Sequence, residues 1–337
     1  MKRLQTWLNL GAVTAVMVAC SLIITKNAPG NATQRLVNVS YDPTRELYQA
    51  LNPLFIASYE KETGRHLTIV QSHGGSSRQS RRVVSGEQRA DVVTLGLFSD
   101  VDALRKHGVI AANWADRLPN HSAPYTSTIV FVVRKGNPHA IHDWPDLLGR
   151  DIEVVTPDPR TSGNGKLTAL AAWAATTTRG GSDEAARDFL TALYRHVRVL
   201  DEGARGAAIT FTVEEIGDVQ LAWENEALRE TAESKGKLQI VYPPVSILAE
   251  PYVAWVDRDV ARDGNQEAAK AYLTFLFSDT AQQTVARLGY RPIKPSEAFP
   301  SLTLVPLNAI AKNWDDLDEK FFAADAIIDT IMSSRPR

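Results

Sequence analysis

The chain of 337 residues is long enough for two domains, and its 44% hydrophobic and 23% charged residues exclude wholesale disorder. Lys and Arg total 37 against 39 Asp and Glu, so the net charge of −2 lacks the basic excess expected of a general nucleic-acid-binding protein. The single cysteine, Cys20, excludes an internal disulfide and a zinc site built from several cysteines.

The first 32 residues have the pattern of an export signal, or of an N-terminal lipid anchor. Two basic residues precede an apolar run from Trp7 to Ile24. The Met-Val-Ala-Cys run that ends at Cys20 resembles a bacterial lipobox, while cleavage near Ala32 and an uncleaved anchor are the alternatives. All three interpretations place the rest of the chain outside the cytoplasmic membrane, which predicts a periplasmic protein.

Beyond residue 34, short β-rich runs alternate with runs of helical periodicity. The predicted strands are Leu36 to Ser40, Leu67 to Gln71, Asp91 to Leu95, Thr128 to Val133, Ile152 to Thr156, Val197 to Leu200, Val219 to Trp223 and Leu238 to Tyr242. Predicted helices include Thr44 to Glu62, with a bend at Pro53, Ser76 to Glu87 and Gly165 to Thr176. This alternation predicts an α/β protein with mostly parallel sheets flanked by helices.

Two extended segments without helical periodicity bracket the middle of the chain, from Tyr125 to Val133 and from Leu248 to Val256. Strands that cross between two lobes would produce such segments. The middle of the chain would then form one lobe and its two ends the other.

Several loops that follow predicted strands are rich in glycine and serine and lead directly into helices. They are His73-Gly74-Gly75-Ser76-Ser77, Thr161-Ser162-Gly163-Asn164-Gly165 and Gly203-Ala204-Arg205-Gly206. In Asp42-Pro43, which follows the first strand, we expect Asp42 to be the N-cap. Helix N-termini expose unpaired N–H groups and favour negative charge. Each loop alone is an ordinary turn, but several at one sheet edge predict an oxyanion site.

Five motifs in this order closely resemble those of bacterial periplasmic sulfate-binding proteins. They are Asn38-Val39-Ser40-Tyr41-Asp42-Pro43-Thr44-Arg45-Glu46-Leu47, Gln71-Ser72-His73-Gly74-Gly75-Ser76, Ala123-Pro124-Tyr125-Thr126-Ser127-Thr128, Gly203-Ala204-Arg205-Gly206 and Ala222-Trp223-Glu224-Asn225-Glu226. The similarity runs from about residue 36 to the low 290s. One motif departs from the family, because Gly165 replaces an alanine ahead of Lys166, which leaves the preference between sulfate and thiosulfate open.

The resemblance implies a two-lobed periplasmic-binding-protein fold of type II, with the ligand in a cleft between the lobes and two crossing hinge strands. We expect lobe 1 to comprise residues 36–122 and 257–337, and lobe 2, with the hinge strands, to comprise residues 123–256.

The resemblance also implies the ligand-binding residues. The backbone N–H groups of Ser76, Ser162, Gly163, Asn164 and Ala204 would donate to the anion, as would the Ser76 hydroxyl and the Trp223 indole. The Asp42 backbone would border the anion, and Lys166 and Arg205 would balance charge from behind. No metal, cofactor or catalytic residue is implied.

The function implied is reversible capture of sulfate or thiosulfate by a monomer, and delivery to the membrane permease of an ABC importer with its ATPase. Two alternatives remain. One is a binding protein for another tetrahedral oxyanion, molybdate or phosphate. The other is a secreted phosphatase-like enzyme, for which the sequence offers no nucleophile or metal constellation.

Overall fold

The computed structural model describes residues 33–334, so the export signal and Cys20 lie outside the described residues. Within that range, no helix has the length and apolar character needed to cross a membrane. The strands are β1 (Gln34–Tyr41), β2 (Leu67–Gly74), β3 (Val92–Leu95), β4 (Tyr125–Thr126), β5 (Ile129–Arg134), β6 (Val154–Val155), β7 (Val219–Trp223), β8 (Leu238–Val241), β9 (Val245–Ile247), β10 (Tyr252–Trp255), β11 (Arg291–Pro292) and β12 (Thr303–Val305).

The helices alternate with these strands. They are α1 (Arg45–Thr63), α2 (Ser76–Ser85), α3 (Phe98–Lys106), α4 (Gly163–Thr177), α5 (Asp183–His196), α6 (Ala204–Thr212), α7 (Glu224–Glu233), α8 (Asp257–Asp263), α9 (Gln266–Phe275), α10 (Asp279–Arg287), α11 (Trp314–Phe321) and α12 (Ile327–Ser333). The three predicted helices are confirmed as α1, α2 and α4, and α1 runs on through Pro53. Of the predicted strands, Val197 to Leu200 is wrong, because only Val197 forms a single bridge, to Val154.

The first sheet, in the order β10-β3-β1-β2, forms the base of lobe 1. β1 runs parallel to both β2 and β3, and Tyr41 at the end of β1 lies opposite Gly74 at the end of β2. Because parallel strands end at the same edge, the loops that enter α1, α2 and α3 leave the sheet side by side.

The second sheet, in the order β6-β7-β5-β8, forms the base of lobe 2. β7 runs parallel to β6, whereas β5 runs antiparallel to both β7 and β8. β10 is likewise antiparallel to β3 in the first sheet. The sheets are therefore mixed where the sequence predicted mostly parallel ones. The physical reason is that β5 and β10 continue crossing segments, which enter each sheet from the opposite direction.

The two predicted crossing segments lie side by side between the sheets. The Ser127 N–H donates to the Ala249 carbonyl at 2.9 Å, and the Ala249 N–H donates back to Ser127 at 3.0 Å. Next to this pair, β4 is antiparallel to β11. These contacts support a hinge at this place.

The end of the chain, which we expected to be part of lobe 1, packs against residues of the expected lobe 2. β12 pairs with β9, and the Phe321 ring of α11 meets Trp173 of α4 edge to face, with 4.8 Å between ring centroids. Ile328 and Ile331 of α12 belong to the same core cluster as α4. The apolar faces of these two short helices are buried against α4.

Candidate functional site

The predicted ligand-binding residues surround one small cavity. It is lined by Tyr41, Asp42, Pro43, Gly74, Gly75, Ser76, Ser162, Gly163, Asn164, Ala204 and Trp223. No Lys or Arg is among these residues. A larger surface groove of about 930 Å³ lies beside β1 and β2, but none of the predicted site residues lines it.

At the start of α2, the Ser76 hydroxyl is committed to the protein. It donates to the carboxylate of Asp100 at 2.5 Å and accepts the Gly96 N–H at 2.9 Å. A second hydroxyl, on Ser77, donates to the other oxygen of Asp100 at 2.7 Å. The expectation that the Ser76 hydroxyl serves the ligand does not fit this geometry, because its single proton is already donated. The Ser76 N–H, in the first turn of α2, is still available.

At the start of α4, Ser162 uses its N–H within the protein and leaves its hydroxyl available, the reverse of Ser76. The Ser162 N–H donates to the Asp158 carbonyl at 2.9 Å, which removes it from the expected set of backbone donors. The Ser162 hydroxyl, however, hydrogen-bonds to no described residue. Hydrogen bonding within the helix begins with the Lys166 N–H, which donates to Ser162 at 3.1 Å. The N–H groups of Gly163 and Asn164 therefore lie at the open end of α4.

The third helix end belongs to α6, where the Ala207 N–H is the first to bond back, to the Gly203 carbonyl at 3.2 Å. The Ala204 N–H precedes it and stays open. Asp42 approaches from lobe 1, and one carboxyl oxygen lies 2.2 Å from the point that a Gly203 Cβ would occupy. The expected N-cap role of Asp42 is wrong, because Tyr41 is the N-cap and no side chain caps this turn. Burial raises the pKa of the Asp42 carboxyl.

Trp223, at the end of β7, supplies a side-chain donor to the cavity. Its side chain is completely buried, and no described residue accepts a hydrogen bond from its indole Nε1. Buried indole N–H groups normally have a partner. The ring packs against Tyr41, with 5.4 Å between centroids, and would touch a Cβ at Gly96 at 3.4 Å.

The side chain of Asn164 connects α4 to β7. Its amide donates to the Leu221 carbonyl at 3.0 Å, and its oxygen accepts the Trp223 N–H at 3.1 Å. These two bonds satisfy backbone groups of β7 that have no strand partner on that side. Asn164 therefore places an open helix N-terminus and the indole donor next to each other.

The two cations expected behind the site are both paired with carboxylates. Lys166 Nζ lies 3.7 Å from Asp100 and 4.9 Å above the Phe322 ring. One terminal nitrogen of Arg205 donates to both carboxylate oxygens of Glu46, at 2.8 and 2.9 Å. Burial alone would raise the pKa of Glu46, but the hydrogen bonds from Arg205 outweigh it, and that pKa lies below its ordinary value. Both pairs join lobe 1 to lobe 2.

The lobes touch closely around the cavity. A Cβ at Gly75 would lie 2.6 Å from the Thr161 carbonyl and 2.8 Å from the Glu202 carbonyl, both in lobe 2. Arg78 forms an ion pair with Glu202, and its N–H donates to Thr161 at 3.4 Å. The structure is thus of the closed form, in which residues of both lobes enclose the cavity.

His73, three residues before Ser76 in the sequence, hydrogen-bonds to Ser40 rather than to a residue that lines the cavity. Its Nδ1 lies 2.8 Å from the Ser40 hydroxyl. Burial, with the charge of Arg45, lowers the pKa of His73 to about 4, so the ring is neutral at neutral pH. Within residues 33–334, no group of three or more His, Cys, Asp and Glu is arranged to hold a metal ion.

Residues 44–291 match the family of bacterial extracellular solute-binding proteins. The chain belongs to this family. A sulfate-binding protein of Salmonella typhimurium is similar to this solute-binding protein, with 48% identity over 305 residues, 88% of this chain and 92% of the relative. A thiosulfate-binding protein of Pseudomonas aeruginosa is 41% identical over 328 residues, 95% of this chain and 98% of the relative.

Solved structures show the same architecture. The sulfate-binding protein SubI from Mycobacterium tuberculosis H37Rv has 34% identity and a TM-score of 0.78, covering 86% of this solute-binding protein and all of that chain. The periplasmic binding protein P5PA has 18% identity and a TM-score of 0.68, covering 90% of this chain. The predicted two-lobed periplasmic-binding-protein fold is confirmed.

The sequence missed Asp100, which fixes the hydroxyls of two serines at the start of α2. It is the third residue of α3 and is 4% exposed. Nothing in the local sequence distinguishes it from a surface Asp in a first helical turn, where acidic residues are common. Only the packing of α3 against α2 shows its role.

Proposed function

We propose that this protein captures sulfate in the cavity between the lobes, with thiosulfate as the second candidate, and delivers it to a membrane importer. The observation that carries the proposal is the buried Trp223 indole, whose Nε1 has no acceptor in the described chain. It lines a cavity enclosed by the open N-termini of α2, α4 and α6.

The donor set suits an unprotonated dianion. Neutral N–H groups and one hydroxyl distribute the ligand's charge over several helix ends, and each bond to a charged acceptor is stronger than a neutral one. Lys166 and Arg205 are already paired with carboxylates, so they need not touch the ligand. The proposed donors are Ser76 N–H, Ser162 Oγ–H, Gly163 N–H, Asn164 N–H, Ala204 N–H and Trp223 Nε1–H. This set differs from the sequence-based one at two serines. The Ser76 hydroxyl is left out, and Ser162 contributes its hydroxyl instead of its N–H.

The relatives support the same ligand class, because those with 48% and 41% identity are named for binding sulfate and thiosulfate. They are binding proteins, which supports capture without turnover. From the resemblance we also propose that the partner is an ABC permease with its cytoplasmic ATPase, and that the protein acts as a monomer. Its location would be the periplasm, reached through the export signal in residues 1–32 or held there by a lipid on Cys20.

Two lobes that close on the ligand would explain delivery. We place lobe 1 at residues 36–122 and 257–302, and lobe 2 at residues 123–256 and 303–333. Closure excludes water, so each donor acts in a lower dielectric than bulk solvent. It also creates a surface that only the loaded protein presents to the permease.

Calorimetric titration with sulfate, thiosulfate, molybdate and phosphate tests the proposal. Sulfate has no proton at neutral pH, whereas phosphate keeps at least one, and a buried proton that meets only donors costs about 1–3 kcal/mol. We therefore expect sulfate to bind at least about tenfold more tightly than phosphate at pH 7. Equal affinities, or binding of neither sulfate nor thiosulfate, would contradict the proposed function.

Asp42 provides the control for this titration, because it is the one carboxyl-bearing residue that lines the cavity. If its carboxylate accepted a phosphate proton, Asp42→Asn would weaken phosphate binding selectively. We expect the weak phosphate affinity to be unchanged in this variant.

A further inference from the structure

The indole of Trp223 must be placed accurately, because a hydrogen bond to an anion weakens steeply with misalignment. The backbone donors are fixed by their helices, but a Trp side chain depends on its own surroundings. Asn164 and Thr128 hold the peptide groups around it. The Trp223 N–H donates to Asn164 at 3.1 Å, and the Glu224 N–H donates to the Thr128 carbonyl at 2.9 Å.

The residue that follows, Glu224, is the first residue of α7 and is completely buried. Both of its carboxylate oxygens accept hydrogen bonds from Arg291, from Nε at 2.6 Å and from a terminal nitrogen at 2.8 Å. A carboxylate in the first helical turn is also favoured by the helix dipole. The two-pronged contact fixes direction as well as distance.

Arg291 comes from another part of the chain and is itself held in place. It belongs to β11, which pairs with β4 where the chain enters the crossing segment. Its guanidinium also donates to the Pro300 carbonyl at 3.1 Å and lies 5.3 Å from the centre of the Phe299 ring. The ion pair therefore ties the segment that carries Trp223 to the hinge.

A buried ion pair adds little net stability, because desolvating both charges offsets most of their attraction. Stability alone does not explain a fully buried Glu224 beside a ligand donor. We propose that the Glu224–Arg291 pair positions the Trp223 indole for the anion, with Arg291 and Glu224 as positioning residues. This inference rests on the proposed function.

A double-mutant cycle with Arg291→Lys and Trp223→Phe tests it. Lysine keeps the charge of Arg291 but loses the two-pronged contact. In the wild-type background, Arg291→Lys should weaken sulfate binding at least about fivefold, part of the loss expected for a charge-assisted bond. In the Trp223→Phe background, the same substitution should change the dissociation constant less than about twofold, since the donor being positioned is already gone.

Glu224→Gln is the second variant, which keeps volume and one acceptor and should weaken sulfate binding in the same way. Sulfate binding should also change the tryptophan fluorescence. Trp223→Phe removes the contribution of Trp223 to this change, and Arg291→Lys should reduce the same contribution. Arg117 offers a control, because it also pairs with a carboxylate and lies over a tryptophan ring. One of its terminal nitrogens donates to both Asp257 oxygens at 2.9 Å, and its guanidinium lies over Trp255. Arg117→Lys should leave sulfate affinity unchanged.

Wild-type sulfate affinity in Arg291→Lys and Glu224→Gln, or equal losses with and without the indole, would overturn the inference. If the wild-type protein binds a different anion of the panel, the proposed function fails by itself. The same cycle is then run with that anion, and its coupling still decides the role of Arg291.

Discussion

Single atoms decide what the cavity can bind, and the Trp223 indole N–H is the clearest example. Trp223→Phe keeps an aromatic ring against Tyr41 but removes the donor. The loss of a charge-assisted bond corresponds to about 1.5–3 kcal/mol, so we expect sulfate binding to weaken about 10- to 150-fold. Calorimetry at pH 7 measures this, with thermal unfolding of the ligand-free variant as the control for folding. Unchanged affinity would assign Trp223 to packing alone.

Two serines differ only in which of their groups is already used. Ser162→Ala removes a hydroxyl that no described residue engages, so it should weaken sulfate binding by about tenfold or more. Ser76→Ala instead leaves the buried Asp100 and the Gly96 N–H each short of one partner. It should mainly lower the free energy of unfolding, by about 1–3 kcal/mol. Titration measures the sulfate affinity of both variants, and urea unfolding measures their stability. If Ser76→Ala weakened sulfate binding more than Ser162→Ala, the Ser76 hydroxyl would be the ligand donor.

At the scale of elements, helix N-termini from both lobes meet, and Gly75 permits their close approach. Its backbone, with φ −58° and ψ 131°, suits any residue, so an added methyl group would clash only with lobe 2. Gly75→Ala should therefore hinder closure and weaken sulfate binding at least about tenfold, because a contact under 3 Å with a backbone carbonyl forces the lobes apart. The ligand-free variant should be as stable as the wild type or up to about 1 kcal/mol more stable.

The neighbouring glycine is the matched control for this experiment. A Cβ at Gly74 would meet only the side chain of Gln79 in its own lobe, at 3.3 Å. Gly74→Ala should bind sulfate nearly as well as the wild type. Equal losses from both substitutions would indicate local damage to the loop rather than impaired closure.

The stability of the whole molecule should depend on pH through Glu230 of α7. Burial, with the nearby charge of Glu226, raises the pKa of Glu230 to about 8 from an ordinary value of 4.5. Between these values the native state binds a proton that the unfolded chain has released. The free energy of unfolding should therefore fall as pH rises from about 4.5 to 8, and this contribution should level off above 8.

Glu230→Gln removes this titration while keeping the size and the neutral state of the side chain. Its Tm should fall less than that of the wild type between pH 5 and pH 8, as thermal unfolding in a series of buffers would show. Parallel Tm curves for the two proteins would mean that Glu230 is ionised in the native state throughout this range.

Across these scales, the sequence determined whatever depends on local pattern. The alternation of strands and helices predicted the α/β fold class. The resemblance of five motifs to periplasmic sulfate-binding proteins implied the two lobes and seven residues that line the cavity, which are Asp42, Ser76, Ser162, Gly163, Asn164, Ala204 and Trp223. The helical spacing of Leu47, Leu51, Leu54 and Phe55 predicted α1, and all of these but the exposed Leu54 lie on its buried face. The β-rich composition of Val197 to Leu200 wrongly predicted a strand, and the structure has only a single bridge at Val197. Composition alone does not supply a neighbouring strand to pair with.

The tertiary structure decided which groups at those positions are already bonded. Asp100, remote in sequence from Ser76, takes that serine's proton, and the Asp158 carbonyl takes the N–H of Ser162. Residues 303–333 pack against α4 because α11 and α12 bury apolar side chains there. Such long-range contacts leave no periodic trace in the sequence, since a hydrogen-bonding group has one proton to give and only packing determines which acceptor receives it.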